Sequence, residues 1–263
     1  MDFLQISGKT YFVAGVANKK SVAFFVAKGL IDNGAQVVFS VQNEENRIKA
    51  QKLFPDSTIL ICDVENPKSI SQVGEYFQNN NVRLSGFVHS IAFANYSEGI
   101  KPFHETKVGD FLQATNISCF SLVAIANALK NYFDGNASIV TISISNTRAT
   151  AYGYMGPIKA ALDATVSFLA KSLSEISKIR VNAVCAGPLK TSASAGIPGY
   201  VDNYLFAEQL TLRKAALKTD EVANTVIFLL SPVSSGVNAT GIIVDAGMSC
   251  NYFDQKIVAA ANR

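Results

Sequence analysis

Short apolar runs rich in β-branched residues alternate with longer segments whose apolar positions fall three and four apart, along most of the chain. The runs are Thr10–Ala14, Val37–Ser40, Thr58–Cys62, Gly86–Ser90, Ser138–Ile142, Arg180–Val184 and Ile242–Asp245. Near-continuous apolar character is what a strand covered on both faces requires, so the runs predict parallel strands of one open sheet. Between the first two, Val22, Phe25, Val26, Gly29 and Leu30 lie at helical spacing, and Asn33-Gly34 supplies the stop signal, giving one βαβ unit. A second helix is predicted from Thr219, with Thr219 as its cap, Asp220 and Glu221 at its positive end, and Val222, Val226 and Leu229 on its buried side. The pattern predicts an α/β chain with a doubly wound parallel sheet of about seven strands and helices on both faces.

No Pro/Gly/Ser-rich linker, internal repeat or low-complexity tract interrupts this alternation, so residues 1–263 are expected to form a single domain. The least patterned stretch, about 191–213, follows the sixth strand. Open parallel sheets bind ligands beyond the carboxyl ends of their strands, which makes this stretch a candidate lid over a substrate.

Composition narrows the class. The chain is 49% hydrophobic and 16% charged, which suits a sheet buried on both faces and excludes a disordered protein. Its formal charge of +3 is dispersed, without the basic stripe that nucleic acid would require. Cys62, Cys119, Cys185 and Cys250 are far apart, and His89 and His104 are the only histidines, so no metal site is expected. The first residues carry no secretory signal, and apolar runs such as Val226–Leu230 fall short of the roughly 20 residues a bilayer needs. A cytoplasmic protein with no membrane partner is the expectation.

After the first strand, Gly15-Val16-Ala17 and Ser21-Val22-Ala23 lead directly into the first helix, where backbone N–H groups can cradle a pyrophosphate. Only Gly15 survives of the three glycines usual in such a turn, so a bland strand-to-helix connection also accounts for the segment alone. Gln42 and Asp63 follow the second and third strands, where the adenosine half of a dinucleotide would lie in a Rossmann-like fold. Asp63 also suits a turn or helix cap, and Lys19 and Lys20 read as solvated loop residues. Glu44 and Glu45 precede the first nearby cation, Arg47, which disfavours a 2′-phosphate and favours NADH over NADPH.

Downstream of the fifth strand lie Tyr152 and Lys159, a phenol whose unperturbed pKa is near 10 and an ammonium that would make its proton easier to donate. Seven residues are almost two helical turns, about 10 Å along an axis, too far for a direct bond. Pro157 suits a first helical turn, so Tyr152 is expected to precede the regular helix, with a cofactor ribose bridging the pair. Spacing alone favours Tyr152 and Tyr154 as packing residues and Lys159 as a surface lysine.

The Tyr-x6-Lys pair, Gly15-Val16-Ala17 with Ser21-Val22-Ala23, Gln42-Asn43, Asp63-Val64, Gly86–Ile91, Val181–Val184 and Ala186–Thr191 occur in serial order. In this the chain resembles the bacterial enoyl-acyl-carrier-protein reductases, a divergent branch of the short-chain dehydrogenase/reductase superfamily. The superfamily's alcohol dehydrogenases use Tyr-x3-Lys, and here the position four before Lys159 is Met155. The resemblance implies NADH-dependent reduction of a trans-2-enoyl thioester carried on acyl carrier protein or coenzyme A, with Tyr152 and Lys159 catalytic. It implies a cofactor site of Gly15, Ser21, Val22, Gln42, Asp63, Val64, Ser90, Ile91, Ala92, Lys159, Leu189 and Thr191, and a substrate site of Phe93, Tyr154, Met155, Ala193 and Ile197. It also implies a homotetramer, for which the apolar run Ile257–Ala261 offers an interface or else a frayed tail.

Two departures stand out. Many family members carry another tyrosine after the fifth strand, where this chain has Ile144, leaving Ser145 or Tyr154 to supply any such phenol's role. The segment 196–202 lacks the basic cluster that can greet an acidic carrier, for which Lys190, Arg213 and Lys214 are the substitutes. A carbonyl/alcohol oxidoreductase and a non-catalytic dinucleotide-binding protein are the alternatives.

Overall fold

The computed structural model describes residues 2–262 apart from 100, 192, 193, 195 and 196. The apolar runs form β1 (Thr10–Ala14), β2 (Gln36–Val41), β3 (Ile59–Ile61), β4 (Leu84–His89), β5 (Phe133–Ile144), β6 (Arg180–Ala186) and β7 (Gly241–Val244). They pair in parallel in the order β3-β2-β1-β4-β5-β6-β7, which is the doubly wound sheet expected from the sequence. The helices are α1 (Val22–Asp32), α2 (Glu44–Leu53), α3 (Pro67–Asn79), α4 (Val108–Thr115) and α5 (Ser121–Leu129). They continue with α6 (Met155–Ser174), α7 (Tyr200–Leu210), α8 (Thr219–Leu230) and α9 (Gln255–Ala261).

Alternate residues of each strand serve opposite faces. Phe12 and Ala14 enter one core with Phe77 of α3, Leu122 of α5 and Leu162 of α6, whereas Tyr11 and Val13 enter the other with Val26 of α1 and Val226 of α8. Phe12 stacks on Phe87 and meets Phe77 edge-on, both at 5.5 Å. The buried Arg180 guanidinium donates to the carbonyls of Leu229 and Ser231 at the end of α8, and of Ser234 and Val237 just beyond, matching a cation to a helix C-terminus.

Because β1 is flanked by β2 on one side and β4 on the other, their following connections diverge and leave a crevice at the carboxyl ends. Its floor is closed by short backbone bonds, Gly15 N–H to Ser40 O and Ser90 N–H to Ala14 O, both 3.1 Å.

Four sequence expectations change. The β5 strand begins at Phe133, earlier than the run at Ser138, because Asp134-Gly135-Asn136 looks like a turn but lies within an extended segment whose pairing with β4 shifts register. The N-cap of α8 is Lys218 and not Thr219, since the Glu221 carboxylate accepts from the Lys218 N–H at 2.8 Å and draws Thr219 into the first turn. The stretch 191–213 contains the eleven-residue α7. Finally, residues 108–129, α4 and α5 joined by a π-helical turn at Asn116–Phe120, are apolar and long enough to cross a bilayer, alone in this among the described residues. Half of that run is buried, with Ala114, Leu122, Ile125 and Leu129 in the core, which accounts for its apolarity.

Candidate active site

Gly15 holds a φ of +98°, and a Cβ built there would lie 2.1 Å from Ser90 O, so the turn after β1 passes against β4 only because it carries no side chain. Ser21 then caps α1, accepting from Phe24 N–H at 3.2 Å and donating to Asn18 O at 2.8 Å. The Val22 side chain is buried, which leaves its unpaired first-turn N–H as the group it can offer an anion. Gln42 is exposed directly after β2. Asp63 accepts from Glu65 N–H at 3.1 Å, the turn role anticipated for it, while Val64 packs against the core. Glu44 engages Arg47 through two bonds of 2.7 and 2.5 Å, and Glu45 engages Lys49, so the cations near β2 are already neutralised.

Ser90, Ile91 and Ala92 continue from β4 along the crevice. A serine that sequence reading missed fixes this segment: Ser118, in the π-helical turn, accepts from Phe93 N–H at 2.9 Å and approaches Phe93 O at 3.1 Å. Below it, the buried His89 bridges Thr141 Oγ1 through Nδ1 at 2.9 Å and Ser121 Oγ through Nε2 at 2.7 Å. Ser121 donates to Ile117 O, so it accepts from Nε2–H. Burial, aided by the Lys159 charge, pushes the His89 pKa down to about 3.

Tyr152 precedes the regular helix, as Pro157 suggested, and Lys159 is not the surface lysine that spacing alone favours. Tyr152 ends a 3₁₀ turn at Thr150–Tyr152, Gly153 reverses the chain at a φ of +61°, and α6 starts at Met155, placing Pro157 in its first turn and Lys159 in its second. Lys159 is buried, and its ammonium donates to Ile142 O of β5 at 2.8 Å. Burial lowers its pKa to about 8, opposed by the negative charge of Asp163 one turn on. The Tyr152 hydroxyl has no hydrogen-bond partner among the described residues. Its pKa is raised, chiefly by burial and then by Tyr200 and Tyr96, not lowered by the lysine as the sequence suggested. The ammonium is held at Ile142 O, and the phenol therefore stays protonated through neutral pH.

Around this pair, Tyr154 donates to Asn95 O at 2.9 Å and Tyr96 donates to the Tyr152 carbonyl at 3.2 Å. Tyr154 and Met155 belong to the core wall, whereas Phe93 is 44% exposed and Ile197 half-buried. Ala193 lies outside the described residues. Ile144 ends β5 opposite Ala186, and Ser145 donates its N–H to Ala186 O.

Beyond β6, both backbone polar groups of Leu189 meet the Tyr200 hydroxyl: Leu189 N–H donates to Oη at 2.9 Å, and Oη approaches Leu189 O at 2.9 Å. Ser194, also unforeseen, lies 2.9 Å from Leu189 O and accepts from Thr191 N–H at 2.9 Å. Of the proposed basic substitutes, Arg213 forms a two-pronged pair with Glu221 at 2.5 and 2.6 Å, and Lys214 pairs with Asp254, the cap of α9. These two are committed internally, which leaves Lys190 exposed at the site's edge.

Residues 15–249 match the family model described as Enoyl-(Acyl carrier protein) reductase. The enoyl-acyl-carrier-protein reductase [NADH] of Enterococcus faecalis is 37% identical over 94% of this chain and 98% of its own length. A Staphylococcus aureus relative, carrying NADPH in its name, is 35% identical over 93% and 98% respectively. The Bacillus cereus enoyl-acyl carrier protein reductase, solved with NADP+ and an indole naphthyridinone, superposes with a TM-score of 0.87 at 32% identity, over 92% of this chain and 96% of that one. With the crevice, the Tyr-x6-Lys pair and near-complete coverage all in agreement, the chain belongs to the enoyl-acyl-carrier-protein reductase family.

Proposed function

We propose that this protein reduces the trans-2 double bond of an enoyl thioester with NADH, in the cytoplasm, as a step of fatty-acid synthesis or a related specialised pathway. The observation that carries this is the protonated Tyr152 phenol, without a protein partner among the described residues, held one turn ahead of the helix that buries Lys159. When bound, a reduced nicotinamide supplies the hydride for the substrate's β-carbon. Tyr152 hydrogen-bonds the thioester oxygen as negative charge develops there, and Lys159 holds the ribose and adds a positive field in a site of low dielectric.

The cofactor groups fit this chain's residues. Gly15 lets the backbone pass with no side chain, the first-turn amides of α1 suit a pyrophosphate, and Gln42, Asp63 and Val64 surround the adenosine. Ser90, Ile91, Ala92, Leu189 and Thr191 line the remainder. NADH is favoured because Arg47 and Lys49 are neutralised by Glu44 and Glu45, leaving a 2′-phosphate uncompensated. Phe93 and Ile197 flank the acyl group, backed by Tyr154 and Met155. The thioester arrives on acyl carrier protein or coenzyme A, and Lys190 is the cation available to an acidic carrier. A homotetramer would give cover to exposed apolar side chains such as Phe120, Phe168, Ile243, Tyr252 and Phe253.

Following reduced-nicotinamide absorbance tests this. Turnover is expected with crotonyl and longer trans-2-enoyl thioesters, faster with NADH than NADPH. Turnover of ketones alone would make the protein a carbonyl oxidoreductase, and tight NADH binding without turnover would make it a binding protein.

The Lys159 ammonium sets an alkaline limit. Its charged fraction falls as pH rises through about 8, so the rate should decline there and not near 10. A pH profile flat to 10 would show that the charge is dispensable or that bound cofactor restores the ordinary lysine value.

A further inference from the structure

We propose that Tyr200 is a built-in competitor for the nicotinamide carboxamide, and so determines how tightly this enzyme holds its cofactor. The inference rests on the dinucleotide reading above. Leu189 follows a proline, which has no N–H, and lies just beyond the carboxyl end of β6, so its own N–H and C=O are the backbone pair offered there. A single hydroxyl, Tyr200 Oη, lies 2.9 Å from both, accepting from the one and donating to the other. A primary carboxamide has the same complement, a carbonyl that accepts and an amino group that donates, and can meet both groups in the phenol's place.

Occupying that pair requires the phenol to leave. Tyr200 is the first residue of α7, preceded by Gly199 at a φ of +71°, and glycine has the widest choice of backbone angles with which to accommodate the exchange. Leu189 O also accepts from Thr191 N–H at 3.1 Å and lies 2.9 Å from Ser194 Oγ, so the carbonyl keeps a donor while the exchange takes place.

Tyr200→Phe keeps the ring and removes the competing hydroxyl. The variant should bind NADH roughly 2- to 10-fold more tightly than the wild type, the span expected when one competing hydrogen-bonded pair is removed. ADP-ribose, which has the pyrophosphate and adenosine but no nicotinamide, should bind both proteins equally, and it also verifies that the variant is folded. Titration calorimetry measures both ligands. Unchanged or weaker NADH binding with ADP-ribose unaffected would overturn the proposal, as would an equal change for both ligands. If ADP-ribose and NADH both fail to bind the wild type, the dinucleotide reading itself falls and the proposal with it.

Discussion

Replacing Tyr152 with Phe should lower kcat for an enoyl thioester by about 10²- to 10⁴-fold, the range for loss of a positioned proton donor, while leaving NADH affinity nearly unchanged. The ring remains and still fills its half-buried place against the core, so the fold loses no packing. The hydroxyl makes no bond among the described residues, so its removal orphans no protein group. What disappears is the donor proposed to meet the charge that develops on the thioester oxygen. Because burial keeps the phenol protonated well above neutral pH, the wild-type and variant rates should differ by a constant factor from pH 6 to 8. Single-turnover kinetics at saturating NADH would measure this, and a loss appearing only in KM would mean that Tyr152 binds substrate without assisting the chemistry.

Lys159→Met should behave differently. It removes the buried ammonium that donates to Ile142 O, and with it a contact proposed for the cofactor, so both the NADH affinity and kcat should fall. The contrast between the two variants separates a group that acts on the reacting atoms from one that also holds the ribose.

The sheet was legible because its strands are covered on both faces, which leaves short β-branched apolar runs recurring between longer segments of helical period. The helix α7 was not. Val201, Leu205 and Phe206 are more than half exposed or close to it, and only Ala207 is buried, so no apolar stripe repeats with helical period. The Tyr-x6-Lys pair could be found because both partners are side chains at a fixed spacing. The Leu189–Tyr200 clamp could not, since one partner is backbone and the other stands eleven residues away across a turn. Ser118 was hidden for a related reason: it acts on Phe93 from a π-helical turn, and that turn has no residue signature. Arg213 and Lys214 seemed available to an acidic carrier because their partners, Glu221 and Asp254, are distant enough in sequence to escape notice.

Gly15→Ala should be among the most damaging single changes in the protein, acting on stability and cofactor binding together. At a φ of +98° an alanine incurs about 1–3 kcal/mol of backbone strain. Its Cβ would also lie 2.1 Å from Ser90 O and 2.7 Å from Ser90 C, both backbone atoms of the neighbouring strand's end, and neither can rotate away. The turn must therefore lift off β4, stretching the bonds from Gly15 N–H to Ser40 O and from Ser90 N–H to Ala14 O that close the crevice floor. A total loss of roughly 2–4 kcal/mol is expected, which for a domain of this size lowers Tm by about 5–15 °C. The amides of α1 move with the turn, so NADH affinity should fall by more than about tenfold, since about 1.4 kcal/mol already suffices for that. Gly8→Ala is the matched control: Gly8 also has a positive φ, +72°, but nothing lies within 4 Å of its Cβ position, so only the conformational cost applies. Thermal unfolding with and without NADH should show a modest Tm loss and full cofactor stabilisation for Gly8→Ala, and a larger loss with little cofactor stabilisation for Gly15→Ala. Equal behaviour of the two variants would mean that the close approach of Gly15 to Ser90 is not what forms the cofactor cradle.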